Sequence, residues 1–331
     1  VEYVRFGQTG LKVSSLCLGT MGIGTSKWKG WVLDEEKSVP ILKKALDVGI
    51  NFFDMADWYS IGVNEQVVAR TLLSLTDREK LVLATKAFYP MSDDPNDKGL
   101  SRKHLMASID KSLKQMGTDY VDLYVIHAFD PETPIEETMS ALHDIVKSGK
   151  ARYIGASTMY SWQFAKMNHV ADKNGWTRFV NMQCQYSLLY REEEREMMPY
   201  CQDEGIAVTT FSPLARGYLA GGGSAPRIAH DLYLDWFGDE IDQEIAKRVN
   251  ELAAKRGKTA SQIAQAWVIG SGNSTVPIVG TESPEHVTAA IEAAAIELTG
   301  EERAFLEQPY RPRDMINDYN PIRRPRALSK A

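Results

Sequence analysis

The 331-residue sequence predicts an α/β protein of the closed (β/α)8 TIM barrel type. Apolar runs of strand length alternate with amphipathic segments of helix length, and the alternation repeats eight times. Successive strand candidates also end in polar side chains, and in a barrel all such ends converge on one face. An open dinucleotide-binding sheet would instead carry G-x-G-x-x-G directly after its first strand. That turn here reads Gly19-Thr20-Met21-Gly22-Ile23-Gly24-Thr25-Ser26-Lys27 and lacks the third glycine. Residues 1–331 are accordingly read as a single barrel domain.

In chain order, Tyr3 to Val13 is expected to form an N-terminal β-hairpin that plugs the barrel bottom. The strand candidates are Ser14 to Gly19, Asn51 to Ala56, Leu81 to Lys86, Tyr120 to His127, Ala151 to Ser157, Phe179 to Gln185, Ile206 to Ser212 and Thr275 to Gly280. Each is apolar on both faces, as a parallel strand covered by helices must be. Asp34 to Val48, Ser101 to Met116, Pro134 to Ser148, Ser161 to Asn174 and Arg191 to Glu204 space their apolar residues three and four apart, as helices do. Several open with Asp, Ser or Thr and close with Gly, as at Gly117 and Gly175. A long loop after strand seven, Ala215 to Gly238, contains Gly221-Gly222-Gly223 and is expected to act as a mobile flap over the polar strand ends.

Composition narrows the function. Hydrophobic residues at 44% and charged residues at 25% match a soluble globular protein with a large core. A formal net charge of -6 implies no basic face for nucleic acid. The basic cluster from Arg311 to Arg326 lies in a Pro-rich tail and reads as a solvated terminus. Cys17, Cys184 and Cys201 form neither a paired framework nor a metal spacing, so reduced thiols, a cytoplasmic location and no metal are expected. No apolar run approaches the roughly 18 residues that span a bilayer, so no membrane partner is expected. The oligomeric state stays open.

The chemistry lies at the strand ends. Asp54 closes the second strand candidate, Lys86 the third and His127 the fourth, while Tyr59 stands on the loop past Asp54. A tyrosine of ordinary pKa, about 10, is a poor acid or base at neutral pH. An ammonium at Lys86, kept charged by Asp54, is expected to lower it. His127 can orient a substrate oxygen or relay a proton. Singly, each residue has a structural reading as a cap, a staple or a packed aromatic. Together they are hard to explain that way, because buried Asp and Lys are costly unless paired.

These residues resemble the aldo-keto reductase pattern D-x-A-x-x-Y, here Asp54-Met55-Ala56-Asp57-Trp58-Tyr59, followed by Lys86 and His127. Further stretches resemble the family: Phe6 to Leu11, Gly149 to Ser157, Asn181 to Gln183, Phe211 to Leu214 and Pro277 to Thr281. The resemblance implies carbonyl reduction with NADP(H) or NAD(H), with Tyr59 as general acid, Lys86 and Asp54 tuning it, and His127 positioning the carbonyl. It also implies that Ser157 and Gln183 hold the nicotinamide carboxamide and that Phe211 stacks on the ring. The segment Ser212 to Gly217, including Leu214 and Arg216, would cradle the pyrophosphate. Two departures matter. Family members often have Ser-Asn where this chain has Ser157-Thr158, which puts one carboxamide contact in question. After strand eight, Gly280-Thr281-Glu282-Ser283-Pro284-Glu285-His286 offers no Arg or Lys for a 2′-phosphate. Glu282 could accept from the ribose of NAD, whereas Ser283, His286 or a helix N-terminus could serve NADP.

Trp28, Trp31, Trp58, Tyr89 and Phe129 crowd the same loops and are candidate walls for an aromatic ring or a sugar face, with Lys27 and Lys29 nearby. The expected partner is a small carbonyl or sugar substrate. Two rival readings are a Schiff-base aldolase using Lys86 and a cofactor-binding regulatory or scaffold subunit with vestigial activity.

Overall fold

The computed structural model describes residues 1–221, 236–272 and 276–315. The chain opens with an antiparallel hairpin of β1 (Tyr3–Arg5) and β2 (Lys12–Ser14), Val4 facing Val13. Barrel strand β3 (Cys17–Gly19) follows, then a two-residue pairing of β4 (Ile23–Gly24) with β5 (Leu33–Asp34). The remaining barrel strands are β6 (Phe52–Asp54), β7 (Val82–Ala87), β8 (Val121–Ile126), β9 (Ala151–Ser157), β10 (Asn181–Gln185), β11 (Ala207–Phe211) and β12 (Val276–Gly280). Every neighbouring pair is parallel, and β12 pairs with β3 to close the ring.

Helix α1 (Glu35–Asp47) follows β5, and α2 (Val63–Leu75), α3 (Arg102–Met116), α4 (Ile135–Lys147), α5 (Ser161–Asn174) and α6 (Met197–Asp203) come after successive barrel strands. Among the described residues between β11 and β12 stand the helices α7 (Glu240–Arg256) and α8 (Ala260–Ile269); α9 (Pro284–Ala294) and α10 (Gly300–Glu307) complete the described chain. Gly117 and Gly175 end α3 and α5 at φ 68° and 67°, the left-handed conformation that costs glycine least.

The strands are apolar on both faces because both faces are covered. On β6, Phe52 joins the barrel interior while Phe53 packs outward under the helices; Val82 and Ala84 on β7 point inward and Leu83 outward. The hairpin caps the interior cluster from below. Buried Phe6 meets Phe52 edge-on at 5.6 Å, and the Gln8 N–H donates to Gly205 O at 2.8 Å. The barrel and its hairpin plug thus match the reading of the sequence.

Other expectations need correction. The stretch Arg191 to Glu204 is not one helix: a 3-10 turn at Glu192–Glu194 precedes α6. Pro199 cannot donate into a continuous helix, so helical pairing starts just before it. The glutamates of the turn bond instead to tyrosines, Tyr310 Oη to Glu192 at 2.7 Å and Tyr190 Oη to Glu193 at 3.3 Å. The proposed flap falls mostly on residues 222–235, which lie outside the described residues, as do Thr275 and positions 316–326 of the basic cluster. Among the described residues, no helix is long and apolar enough to cross a membrane, and no cluster of His, Cys, Asp or Glu is placed to hold a metal ion. Cys17, Cys184 and Cys201 are free and buried. Burial pushes each thiol up, Cys201 to about 12.

Candidate active site

Parallel pairing sets the polar strand ends level with one another. Asp54 is in register with Gly19 and Ala84, and Gln183 with Ser157 and Thr209. Tyr59 opens a 3-10 turn, Tyr59–Gly62, in which Ser60 and Ile61 take φ of 51° and 49°. That strained turn is tied to the loop after β3. Asn64 Nδ2 donates to Thr20 O at 2.7 Å and to Ile23 O at 2.9 Å. Gly24 lies so close that a Cβ there would sit 2.3 Å from Ser60 Oγ.

At the centre is Lys86, fully buried. Its ammonium donates to Asp54 Oδ2 at 2.6 Å, to Met55 O at 2.9 Å and to Tyr59 Oη at 3.3 Å. An ammonium has three protons, and all three are used. The second Asp54 oxygen accepts from Gln183 Nε2 at 2.9 Å; the amide nitrogen must face the carboxylate, since two oxygens would repel there.

The electrostatics correct one expectation. Burial pushes the Tyr59 hydroxyl above its ordinary value and outweighs the nearby Lys86 ammonium, which alone would lower it. For Lys86, burial works against the charge, yet Asp54 and Tyr59 together hold its pKa above the ordinary value. Lys86 therefore stays an ammonium, which opposes the Schiff-base reading, because an imine-forming lysine must be neutral. His127 is driven well below its ordinary value, first by burial and then by Lys86, so its ring is neutral at pH 7. Its Nδ1 has no hydrogen-bond partner among the described residues. The rings of Tyr59 and Tyr89 stand edge-on to it at 5.7 and 4.7 Å.

A cleft of about 540 Å³ opens above these groups, within the range of small-molecule sites. Asp54, Tyr59 and His127 line it, with Lys86 behind them. Of the residues named for a cofactor, Ser157, Gln183, Phe211, Ser212, Leu214, Arg216, Gly217, Gly280, Glu282 and His286 all line the same cleft. Trp31, Trp58 and Tyr89 also reach it, whereas Trp28 and Phe129 do not. Trp28 braces Trp58 edge-on at 5.1 Å, and Phe129 packs beside Trp162 at 6.3 Å. The Lys29 ammonium sits over the Trp28, Trp58 and Trp31 rings at 4.8, 5.5 and 5.8 Å.

Gln185, Trp236 and Thr281 also line the cleft and were not anticipated. Gln185 was findable, because strand alternation puts it on the same face as Gln183; Trp236 falls in the Ala215 to Gly238 loop expected to cover this face, though no local pattern singles it out. Gln185 Nε2 and Thr281 Oγ1 are buried without hydrogen-bond partners among the described residues. Several lining residues are also strained: Thr158, Ser212 and Arg216 hold φ of 52°, 55° and 58°, and such conformations cluster at functional sites.

The Aldo/keto reductase family model matches residues 15–310. The chain belongs to the aldo-keto reductases. Versiconal hemiacetal acetate reductase of Aspergillus parasiticus is 41% identical, over 95% of this chain and 98% of that protein. An aldo-keto reductase of Alternaria alternata is also 41% identical, over 93% of this chain and 92% of its own length. A Schizosaccharomyces pombe protein provisionally named an aryl-alcohol dehydrogenase is 40% identical, over 94% and 96% respectively. This aldo-keto reductase is thus an oxidoreductase of a family that reduces carbonyls with NAD(P)H.

Proposed function

We propose that the chain reduces an aldehyde or ketone to the alcohol, with Tyr59 giving the proton and aromatic aldehydes as the preferred substrate class. The observation that carries this reading is the full use of the Lys86 ammonium. Tyr59 Oη accepts from Lys86, so its own proton remains to be donated into the cleft it lines. As the carbonyl oxygen gains charge, that proton moves onto it, and the adjacent ammonium stabilises the phenolate left behind. A neutral His127 can donate one N–H to the same oxygen and orient it.

The lining suits a nicotinamide dinucleotide, which supplies the hydride when bound. Buried Gln185 Nε2 and Thr281 Oγ1 lack protein partners among the described residues, as expected of groups that bond a ligand. Ser157 and Gln183 would hold the carboxamide, Phe211 the ring face, and Ser212, Leu214, Arg216 and Gly217 the phosphates. Gly280, Glu282 and His286 would meet the adenosine end. Arg216 is the sole Lys or Arg lining the cleft among the described residues, and it favours a phosphate. Glu282 opposes a 2′-phosphate, so NADH and NADPH both stand as reductants. The flat walls of Trp31, Trp58 and Tyr89, together with the aryl-alcohol name of a relative, support an aromatic substrate over a sugar.

Tyr59→Phe tests the assignment. The variant should bind NADPH or NADH as the parent does, read by tryptophan quenching, while kcat for an aromatic aldehyde falls by about 100-fold or more. Retained turnover would remove Tyr59 from the proposed role.

A further inference from the structure

Behind the cleft wall, one arginine of the segment after α10 grips the stretch that carries Trp236. Arg313 Nη1 donates to Trp236 O at 3.3 Å and Nη2 to Asp242 Oδ1 at 2.5 Å, with Asp239 Oδ2 at 3.7 Å. Its guanidinium carbon lies 5.5 Å from the centre of the Phe237 ring. The backbone N–H of Arg313 donates to Glu192 Oε1 at 2.9 Å, the same oxygen that accepts from Tyr310 Oη. Asp242 is almost wholly buried and takes a second bond from the Gly238 N–H at 2.9 Å. Three parts of the chain thus meet at Arg313: the turn beyond β10, the start of α7 and the C-terminal segment.

We propose that Arg313 is a positioning residue for the ligand cleft, holding the backbone of the cleft-lining Trp236 from behind and so setting how tightly the cleft grips its ligand. A planar guanidinium can serve a carboxylate and a backbone carbonyl together, which a single ammonium does less well. Without it, Asp242 becomes a buried carboxylate lacking its countercharge, at the helix start that anchors the wall. The bonds of Arg313 go to this wall and to Glu192 rather than to Asp54, Tyr59, Lys86 or His127. Its loss therefore loosens binding and leaves the chemical step intact.

The kinetic arm rests on the reductase reading; the binding arm does not. Trp236→Phe in the full chain first shows which constant depends on the wall, KM for an aromatic aldehyde or Kd for NADPH and NADH by fluorescence quenching. Arg313→Ala should raise that same constant about 10-fold, with kcat and its pH profile unchanged. Arg313→Lys should fall between, and the double variant Trp236→Phe/Arg313→Ala should be no worse than the weaker-binding single variant. Arg313→Ala/Asp242→Asn removes the buried charge and guards against a variant that fails to fold. Additive effects, a fall in kcat with both constants unchanged, or a Trp236→Phe variant that alters neither constant would overturn the proposal. A wild-type chain that turns over no carbonyl sinks the reductase reading instead, and the Kd series still judges Arg313.

Discussion

Thr158 is a β-branched residue held at φ 52°, a conformation that Asn tolerates and Thr does not favour. Its hydroxyl is stabilised in part by Ser157 Oγ at 3.0 Å, and its strain sits on the cleft wall. Asn at this position should relieve the backbone, so Thr158→Asn is expected to raise unfolding stability by about 1 kcal/mol in urea titrations. An unchanged or lower midpoint would mean that the threonine methyl has packing worth more than the strain. At this same scale lies the site's main surprise. Sequence reasoning expected Lys86 to depress the tyrosine pKa, and burial reverses the balance. Degree of burial cannot be read from residue types at strand ends.

At the scale of elements, α2 and α3 meet β7 across two buried carboxyls. Asp57 accepts from Ser108 Oγ at 2.9 Å and Glu65 from Thr85 Oγ1 at 2.5 Å, while Lys111 and Lys86 act on Glu65 from outside the pair. Burial above all pushes Glu65 from 4.5 to about 7, and Asp57 is raised well above its ordinary value, by burial first and then by Glu65. A carboxyl with a raised folded-state pKa binds a proton that the unfolded chain has already released. Stability therefore falls as pH rises between 4.5 and about 7. Relative to Glu65→Gln, the wild type should lose up to about 3 kcal/mol across that window; a difference flat with pH would show that Glu65 titrates normally. Most elements were legible because both faces of each strand are covered and each helix keeps one apolar stripe. That Asp54, Tyr59, Lys86 and His127 lie together was legible from their places at and just past successive strand ends. The split of residues 191–204 was only half legible: Pro199 marks where a continuous helix must break, whereas the bond from Tyr310 that holds Glu192 in the turn comes from far along the chain. The reading of Arg311 to Arg326 as a solvated terminus fails at Arg313, which is largely buried and ion-paired with Asp242; only the fold brings it to Trp236.

For the whole molecule, the hairpin plug and the ligand cleft occupy opposite ends of one barrel. Phe6 is fully buried in the interior cluster beneath the strands, far along the axis from Tyr59. Phe6→Ala should cost roughly 3–5 kcal/mol of stability through the cavity it leaves, while KM and kcat measured well below the melting point stay near the parent's values. A variant that keeps its stability would show that the plug is ornamental; one that shifts KM would show that the two ends communicate.

The ring of strands also dictates when the protein can be finished. Residues Cys17–Gly19 of β3 have their last partner in Ile278–Gly280 of β12, so the seam joins the first and last strands of the barrel. A ribosome releases β12 last, and until it does, β3 and β11 keep open edges that invite pairing with another chain. Every unfinished copy of this barrel is thus exposed to aggregation until its final strand emerges, and the completed ring leaves no barrel edge to seed it.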